Sequence, residues 1–209
     1  MKVLMINGGP HKDGTTNAAL EEIAKVLAEE GIESEIVWVG NKPVSGCLAC
    51  MMCSKTGDGR CAINDIVNDI LDKADEADGF IFGTPVHYGG ASGAITSLMD
   101  RMFYANTPGF FMKPAAAVVA ARRGGCSAAW DQMNKYFGLA SMPIVTSQYW
   151  NMLHGANAAE APEDPEGLQT MRTLARNMAF LLKCKKVAME NGVELPKKEE
   201  RVWTNFVRQ

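Results

Sequence analysis

Five short apolar runs, each broken by turn residues and most followed by a stretch of helical period, leave this chain few ways to fold. They are "KVLMI" (Lys2–Ile6), "SEIVWVG" (Ser34–Gly40), "GFIFGTP" (Gly79–Pro85), "AAAVVAA" (Ala115–Ala121) and "PIVTS" (Pro143–Ser147). Strands so continuously apolar belong to a parallel sheet covered by helices on both faces, not to an antiparallel sheet with one wet side. The helices between them are marked by spacing. Leu20, Ile23, Ala24 and Leu27 precede Gly31. Ile66, Ile70, Leu71 and Ala74 follow the second strand. Ile95, Leu98, Met99, Met102 and Phe103 recur at i, i+3, i+4, i+7 and i+8, and Trp130, Met133, Phe137 and Ala140 repeat the pattern. "EDPEG" (Glu163–Gly167) opens a last helix with Asp164 as N-cap and Pro165 at the first helical position. Its inner face carries Leu168, Met171, Ala175, Met178 and Leu182. The expectation is one doubly wound α/β domain over residues 1–209, with a C-terminal tail from about residue 192.

A chain of 209 residues builds a core without cross-links. Its formal net charge of −3 is spread over both signs, and no basic stripe offers itself to nucleic acid. "MKVLMING" is too short for a signal-peptide core, and "AAAVVAA" is far below spanning length, so a cytoplasmic protein with no membrane partner is expected. Thiols stay reduced there. In that setting the loop at residues 46–62, which contains "GCLACMMCSKTGDGRC", reads as metal ligation or redox chemistry. Cys47, Cys50 and Cys53 are separated by two residues each, and seven precede Cys61. Successive C-x2-C steps wrap thiolates around an iron–sulfur cubane. Zinc also takes four thiolates, usually from two separated pairs, and reduced thiols or a redox disulfide are the third possibility. Cys126 and Cys184 have no evident partner and are assigned to packing.

In open α/β sheets ligands sit beyond the carboxyl ends of the strands, so the loops there carry the chemistry. "NGGPHKDGTTN" (Asn7–Asn17) has neither a dinucleotide fingerprint nor a P-loop. It does bring Thr15, Thr16 and Asn17 to a helix N-terminus, where amides and dipole favour a phosphate; an ordinary capped turn is the alternative. In "TPVHYGGAS" (Thr84–Ser92), Pro85 fixes a bend, Gly89 and Gly90 leave room for a planar ring, and His87 or Tyr88 would flank it. "ARRGGCS" (Ala121–Ser127) sets two arginines where charge on a reduced cofactor would develop, or simply in solvent. His11, His87 and His154 are scattered, and no nucleophile elbow, zinc-protease motif or carboxylate pair is present. No catalytic acid or base is assigned.

These loops, the segment "TPVHYGG…SGAITSLMDR" (Thr84–Arg101) and the cysteine loop before "INDI" make the chain resemble the flavodoxin-like NAD(P)H-dependent FMN reductase superfamily, and within it the iron–sulfur flavoproteins. The resemblance implies a five-stranded sheet of order 2-1-3-4-5, FMN as cofactor and NAD(P)H as co-substrate. It assigns the FMN phosphate to Gly9, His11, Thr15, Thr16 and Asn17. It assigns the flavin ring to Thr84, Pro85, Val86, His87, Tyr88 and Gly89, with Arg123, Gly124 and Gly125 beside it, and a 4Fe–4S cluster to Cys47, Cys50, Cys53 and Cys61. The family's first loop commonly reads Gly-Ser-Pro-Arg. Gly9 and His11 stand in the serine and arginine places, which removes a hydroxyl and a permanent cation, so weaker FMN retention is expected. The implied activity is an FMN-dependent oxidoreductase passing electrons between NAD(P)H or a reduced carrier and a small-molecule or protein acceptor. An electron-transfer flavoprotein with little nicotinamide activity, or a thiol or metal redox sensor, are the other readings. A homo-oligomer is implied too, and the tail "RVWTNFVRQ" (Arg201–Gln209), with Trp203, Phe206 and Val207, would pack on a partner or on its own subunit.

Overall fold

Strands β1 (Lys2–Asn7), β2 (Glu33–Trp38), β3 (Gly79–His87), β4 (Gly90–Ala91), β5 (Ala115–Ala121) and β6 (Met152–His154) form one sheet in the computed structural model, which describes residues 1–200, 202–204 and 206. All pairings are parallel except that of β4, which folds back on the end of β3. The order is β2-β1-β3-β5-β6. With the short return strand set aside this is the expected 2-1-3-4-5, and the strand order reverses between β1 and β3.

Period-two alternation sends the two sets of side chains to separate cores. Leu4, Ile6, Phe80, Phe82 and Ala117 face α3 (Ile66–Asp75), α4 (Gly93–Phe110) and α5 (Cys126–Leu139), where Ile70, Leu98, Met102, Met133 and Phe137 meet them. Val3, Met5, Ile81, Ala116 and Val118 face α1 (Thr15–Glu29) and α6 (Pro165–Glu190) through Leu20, Ile23, Leu27, Leu174 and Met178. Gly83 lets α1 approach the sheet, since a Cβ there would stand 2.9 Å from Thr16 Cγ2. Two helix ends follow their sequence signals, α1 closing on Gly31 at φ +74° and Asp164 accepting from Gly167 N at the start of α6, and Ser92 caps α4.

The fifth strand is where expectation and structure part. Pro143–Ser147 makes only a bridge: Ala115 N donates to Pro143 O and Val145 N donates to Ala115 O. The chain then leaves the sheet, exposing Tyr149 and Trp150, and returns as β6 against Val119–Ala121. Asn151, almost fully buried, seals this excursion by hydrogen bonds to Val145 O and Ser147. A short helix, α2 (Met52–Thr56), and a 3-10 turn at Ala158–Glu163 were not expected. Among the described residues no helix is long and apolar enough to cross a membrane. Beyond α6 the described tail residues Val202, Trp203 and Phe206 are exposed, while Arg201 and Val207 lie outside the described residues.

Candidate functional site

Two pockets open along the carboxyl edge of the sheet, and α4 runs past both. The first is a cleft of about 430 Å³, within the usual range for a small-molecule site. Its walls are Gly8–Pro10 from the first loop, 40–44 after β2, and His87, Ser92 and Ser97 from the β3–α4 connection and α4.

The loops that build it are tied together from beneath. Gly8 N donates to Gly83 O at 2.9 Å. Asn7 Oδ1 accepts from Gly9 N, Trp38 Nε1 donates to Gly9 O, and Ser92 Oγ donates to Gly8 O. Ser92 N in turn donates to Thr84 Oγ1. Thr84 is therefore a buried strut, not an open donor. Thr15 Oγ1 donates to Gly155 O, and Asn17 bridges Asn7 and Glu21. What the first loop leaves free is different. The N-cap of α1, Gly14, supplies no side-chain acceptor, and among the described residues Thr16 Oγ1 has no hydrogen-bond partner while lying beside Gly9. Free first-turn amides and an unpaired hydroxyl suit an anion such as a phosphate. His11 is exposed beside them.

Thr84–Gly89 and Arg123–Gly125 lie side by side. Tyr88 and Gly89 both have positive φ, +49° and +81°, and form the tight two-residue turn between β3 and β4. Pro85 and Val86 are half-buried beneath it, with His87 and Tyr88 exposed. A Cβ on Gly125, at φ +92°, would stand 2.8 Å from Val86 Cγ1 and 2.9 Å from Gly89 Cα, so glycine alone allows the two loops to touch. Arg123 and Gly124 are exposed at this rim. Cys126 is buried at the start of α5, 4.0 Å from His154 Nε2, and burial pushes its thiol pKa up.

The second pocket gathers all four loop cysteines. Cys47, Cys50, Cys53 and Cys61 line it with Leu48, Ala49, Met51, Ile63, Tyr104 and Arg101, and all four thiols are free. Ala49 and Met51 hold positive φ, +50° and +58°, a strained path for side-chain-bearing residues that winds the chain around the pocket. The two arms differ. Cys61 is fixed: Asn68 on α3 bonds its N and O, both at 2.9 Å, and the adjacent Arg60 pairs with Asp72 and Asp75. Cys47 and Cys50 are exposed. Arg101 Nε donates to Cys61 Sγ at 3.3 Å, and its fork grips Asp65 at 2.7 and 2.8 Å. Burial works to raise the Asp65 carboxyl, but the Arg101 guanidinium and the Val67 amide outweigh it and hold it below its usual range. The space among the thiols is about 20 Å³, and among the described residues no three Cys, His, Asp or Glu converge on one metal ion. Four thiols on one pocket are the donor set that an iron–sulfur centre takes.

Asn7, Trp38, Asp65, Ser92 and Arg101 thus shape the two pockets without having been singled out as functional in the sequence. A buried polar side chain bonded to distant backbone leaves no periodic trace.

A parallel sheet of this order, with a cleft at its switch point, defines a flavodoxin-like fold. Solved structures agree at the level of fold. RosB, solved with bound 8-demethyl-8-formylriboflavin-5′-phosphate, aligns with a TM-score of 0.71 at 16% identity, covering 100% of this chain and 94% of that one. A flavodoxin from the domain Archaea gives 0.58 at 15%, covering 88% and 99%. The family model described as NADPH-dependent FMN reductase matches residues 1–157, and the chain belongs to that family of flavin oxidoreductases. An iron–sulfur flavoprotein of Methanocaldococcus jannaschii is 36% identical over 192 residues, covering 88% of this chain and 98% of its own length. One from Methanosarcina thermophila is 27% identical, covering 87% and 95%.

Proposed function

We propose that the chain holds FMN in the cleft and a 4Fe–4S cluster on Cys47, Cys50, Cys53 and Cys61, and that it passes electrons between NAD(P)H or a reduced carrier and a small-molecule or protein acceptor. The observation that carries this reading is the shared framework of the two pockets. Ser97 of α4 lines the cleft and Arg101, one helical turn or about 6 Å further on, lines the thiol pocket. The segment after β2 does the same, with 40–44 at the cleft and Cys47–Cys53 at the thiols. Two redox groups so placed are neighbours.

Bound FMN would supply two-electron chemistry with a nicotinamide, and a cluster would supply one-electron steps. The protein's part is to bind and insulate. The α1 amides and Thr16 hydroxyl hold the phosphate, with Gly9 setting the loop and His11 at its rim. The turn at Thr84–Gly89 and the Arg123–Gly125 loop border the ring, and Arg123 is the cation available to charge developing on it. Leu48, Met51, Ile63 and Tyr104 give the thiol pocket its apolar lining. A cytoplasmic homo-oligomer is part of the same reading, which draws on the iron–sulfur flavoprotein names of the relatives.

The test is iron and acid-labile sulfide per flavin in protein purified without oxygen. About four of each per FMN supports a cluster site. Flavin without iron would reduce the reading to a two-electron NAD(P)H-dependent flavin reductase with Cys47–Cys61 as thiols.

A further inference from the structure

Arg101 heads the large side chains that are fully buried, its side chain being 0% exposed, and it is the one charged group among the described residues lining the thiol pocket. A guanidinium removed from water is costly unless its N–H groups find acceptors. Each of its three nitrogens does. Nε donates to Cys61 Sγ at 3.3 Å. Nη1 donates to Asp65 Oδ2 at 2.7 Å and Ser45 O at 3.4 Å, and Nη2 to Asp65 Oδ1 at 2.8 Å and Ile63 O at 3.0 Å. The two carbonyls are informative. Ser45 lies two residues before Cys47 and Ile63 two residues after Cys61, so one fork ties both ends of the cysteine loop to a single point on α4. Asp65 is itself fixed, accepting from Val67 N as the N-cap of α3. Packing alone does not call for this residue. Position 101 sits between Leu98 and Met102 in the apolar stripe of α4, where a leucine would bury as well.

We propose that Arg101 is a positioning residue for the cluster site: it latches the ends of the cysteine loop, aims Cys61 Sγ into the pocket and sets a fixed positive charge beside it, with Asp65 as its counterweight. This rests on the reading of the four thiols as cluster ligands. Hydrogen bonds to ligand sulfurs and nearby charge are among the levers that set a cluster's potential. Two variants therefore push in opposite directions. Arg101→Gln removes the cation, which makes reduction of an anionic centre harder and lowers the potential. Asp65→Asn keeps an oxygen for Val67 N but leaves the cation unbalanced, which raises it. A purely structural role would not give shifts of opposite sign.

The experiment uses the whole 209-residue chain, wild type beside Arg101→Lys, Arg101→Gln and Asp65→Asn, loaded with iron and sulfide without oxygen. Iron per chain, the rate of iron loss to a chelator and the midpoint potential are measured. On iron-free protein, the rate of trypsin cleavage after Lys55 reports the latch without any cluster. Arg101→Lys keeps the charge but not the fork, so it should lose iron about tenfold faster, be cleaved several-fold faster and keep nearly the wild-type potential. Should Arg101→Gln fail to fold, Arg101→Lys and Asp65→Asn carry the test. Wild-type loading with unaltered iron loss and cleavage in Arg101→Lys, and an unaltered potential in Asp65→Asn, overturns the proposal while leaving the cluster reading intact. A wild type that takes up no iron overturns the cluster reading and this proposal with it.

Discussion

Asn7 ends β1 with its side chain fully buried, and from there it organises the loop that follows. Oδ1 accepts from Gly9 N at 2.9 Å, while Nδ2 reaches Lys12 O at 3.1 Å and Asn17 Oδ1 at 3.3 Å. Replacing it by alanine leaves a buried amide and a carbonyl without partners, at about 1–3 kcal/mol. The loop that presents the α1 amides would also lose its shape. Asn7→Ala is therefore expected to weaken FMN binding about tenfold or more while iron content stays at the wild-type level, as read by flavin fluorescence titration and iron assay. Part of this was legible. The loop before α1 and the cysteine loop were singled out in the sequence, and each lines a pocket. Asn7 reads only as turn chemistry, and Arg101 carries no local sign of its role because its partners lie 36 to 56 residues away.

At the scale of elements, the contact between the β3–β4 turn and the β5–α5 loop depends on Gly125. Gly125→Ala meets both a positive φ and atoms under 3 Å away, so the loops must part. A loss of about 1–3 kcal/mol in urea unfolding is expected, together with faster release of FMN. At the sheet's other edge, Glu35 on β2 is gripped by Lys73 of α3 at 2.5 Å and Lys2 of β1 at 2.9 Å. The Lys73 hydrogen bond, then that of Lys2, holds the Glu35 carboxyl below its ordinary 4.5. The folded state then binds this proton more weakly than the unfolded chain does. The contribution is complete above pH 4.5 and is lost as pH falls through the lowered value. Glu35→Gln should be less stable at neutral pH by about 0.5–1 kcal/mol and should lose stability less steeply than wild type on going to about pH 3.5. Urea midpoints at both pH values decide it. The element that sequence misplaced, the fifth strand, fails for a reason of the same kind. "PIVTS" has strand composition, yet only its first residues bridge to β5, and the three-residue β6 is too short to show a period.

Over the whole molecule the sheet and its two cores were legible because burial on both faces writes long apolar runs into β1, β3 and β5, and the edge strand β2 still carries Ile36–Trp38. That the cysteine loop leaves the same edge of the sheet as the cleft's loops was legible too; the walls the two pockets share were not, since they depend on where α4 and the segment after β2 lie against each other in space. One helix carries Ser97 at one pocket and Arg101 at the next, so the spacing between them is set by rigid backbone and not by loops.

The stretch from Gly40 to Cys53 serves as a wall for one chamber and a cage for the other, with only Ser45 and Gly46 between the two duties. One short run of backbone thus bounds both chambers.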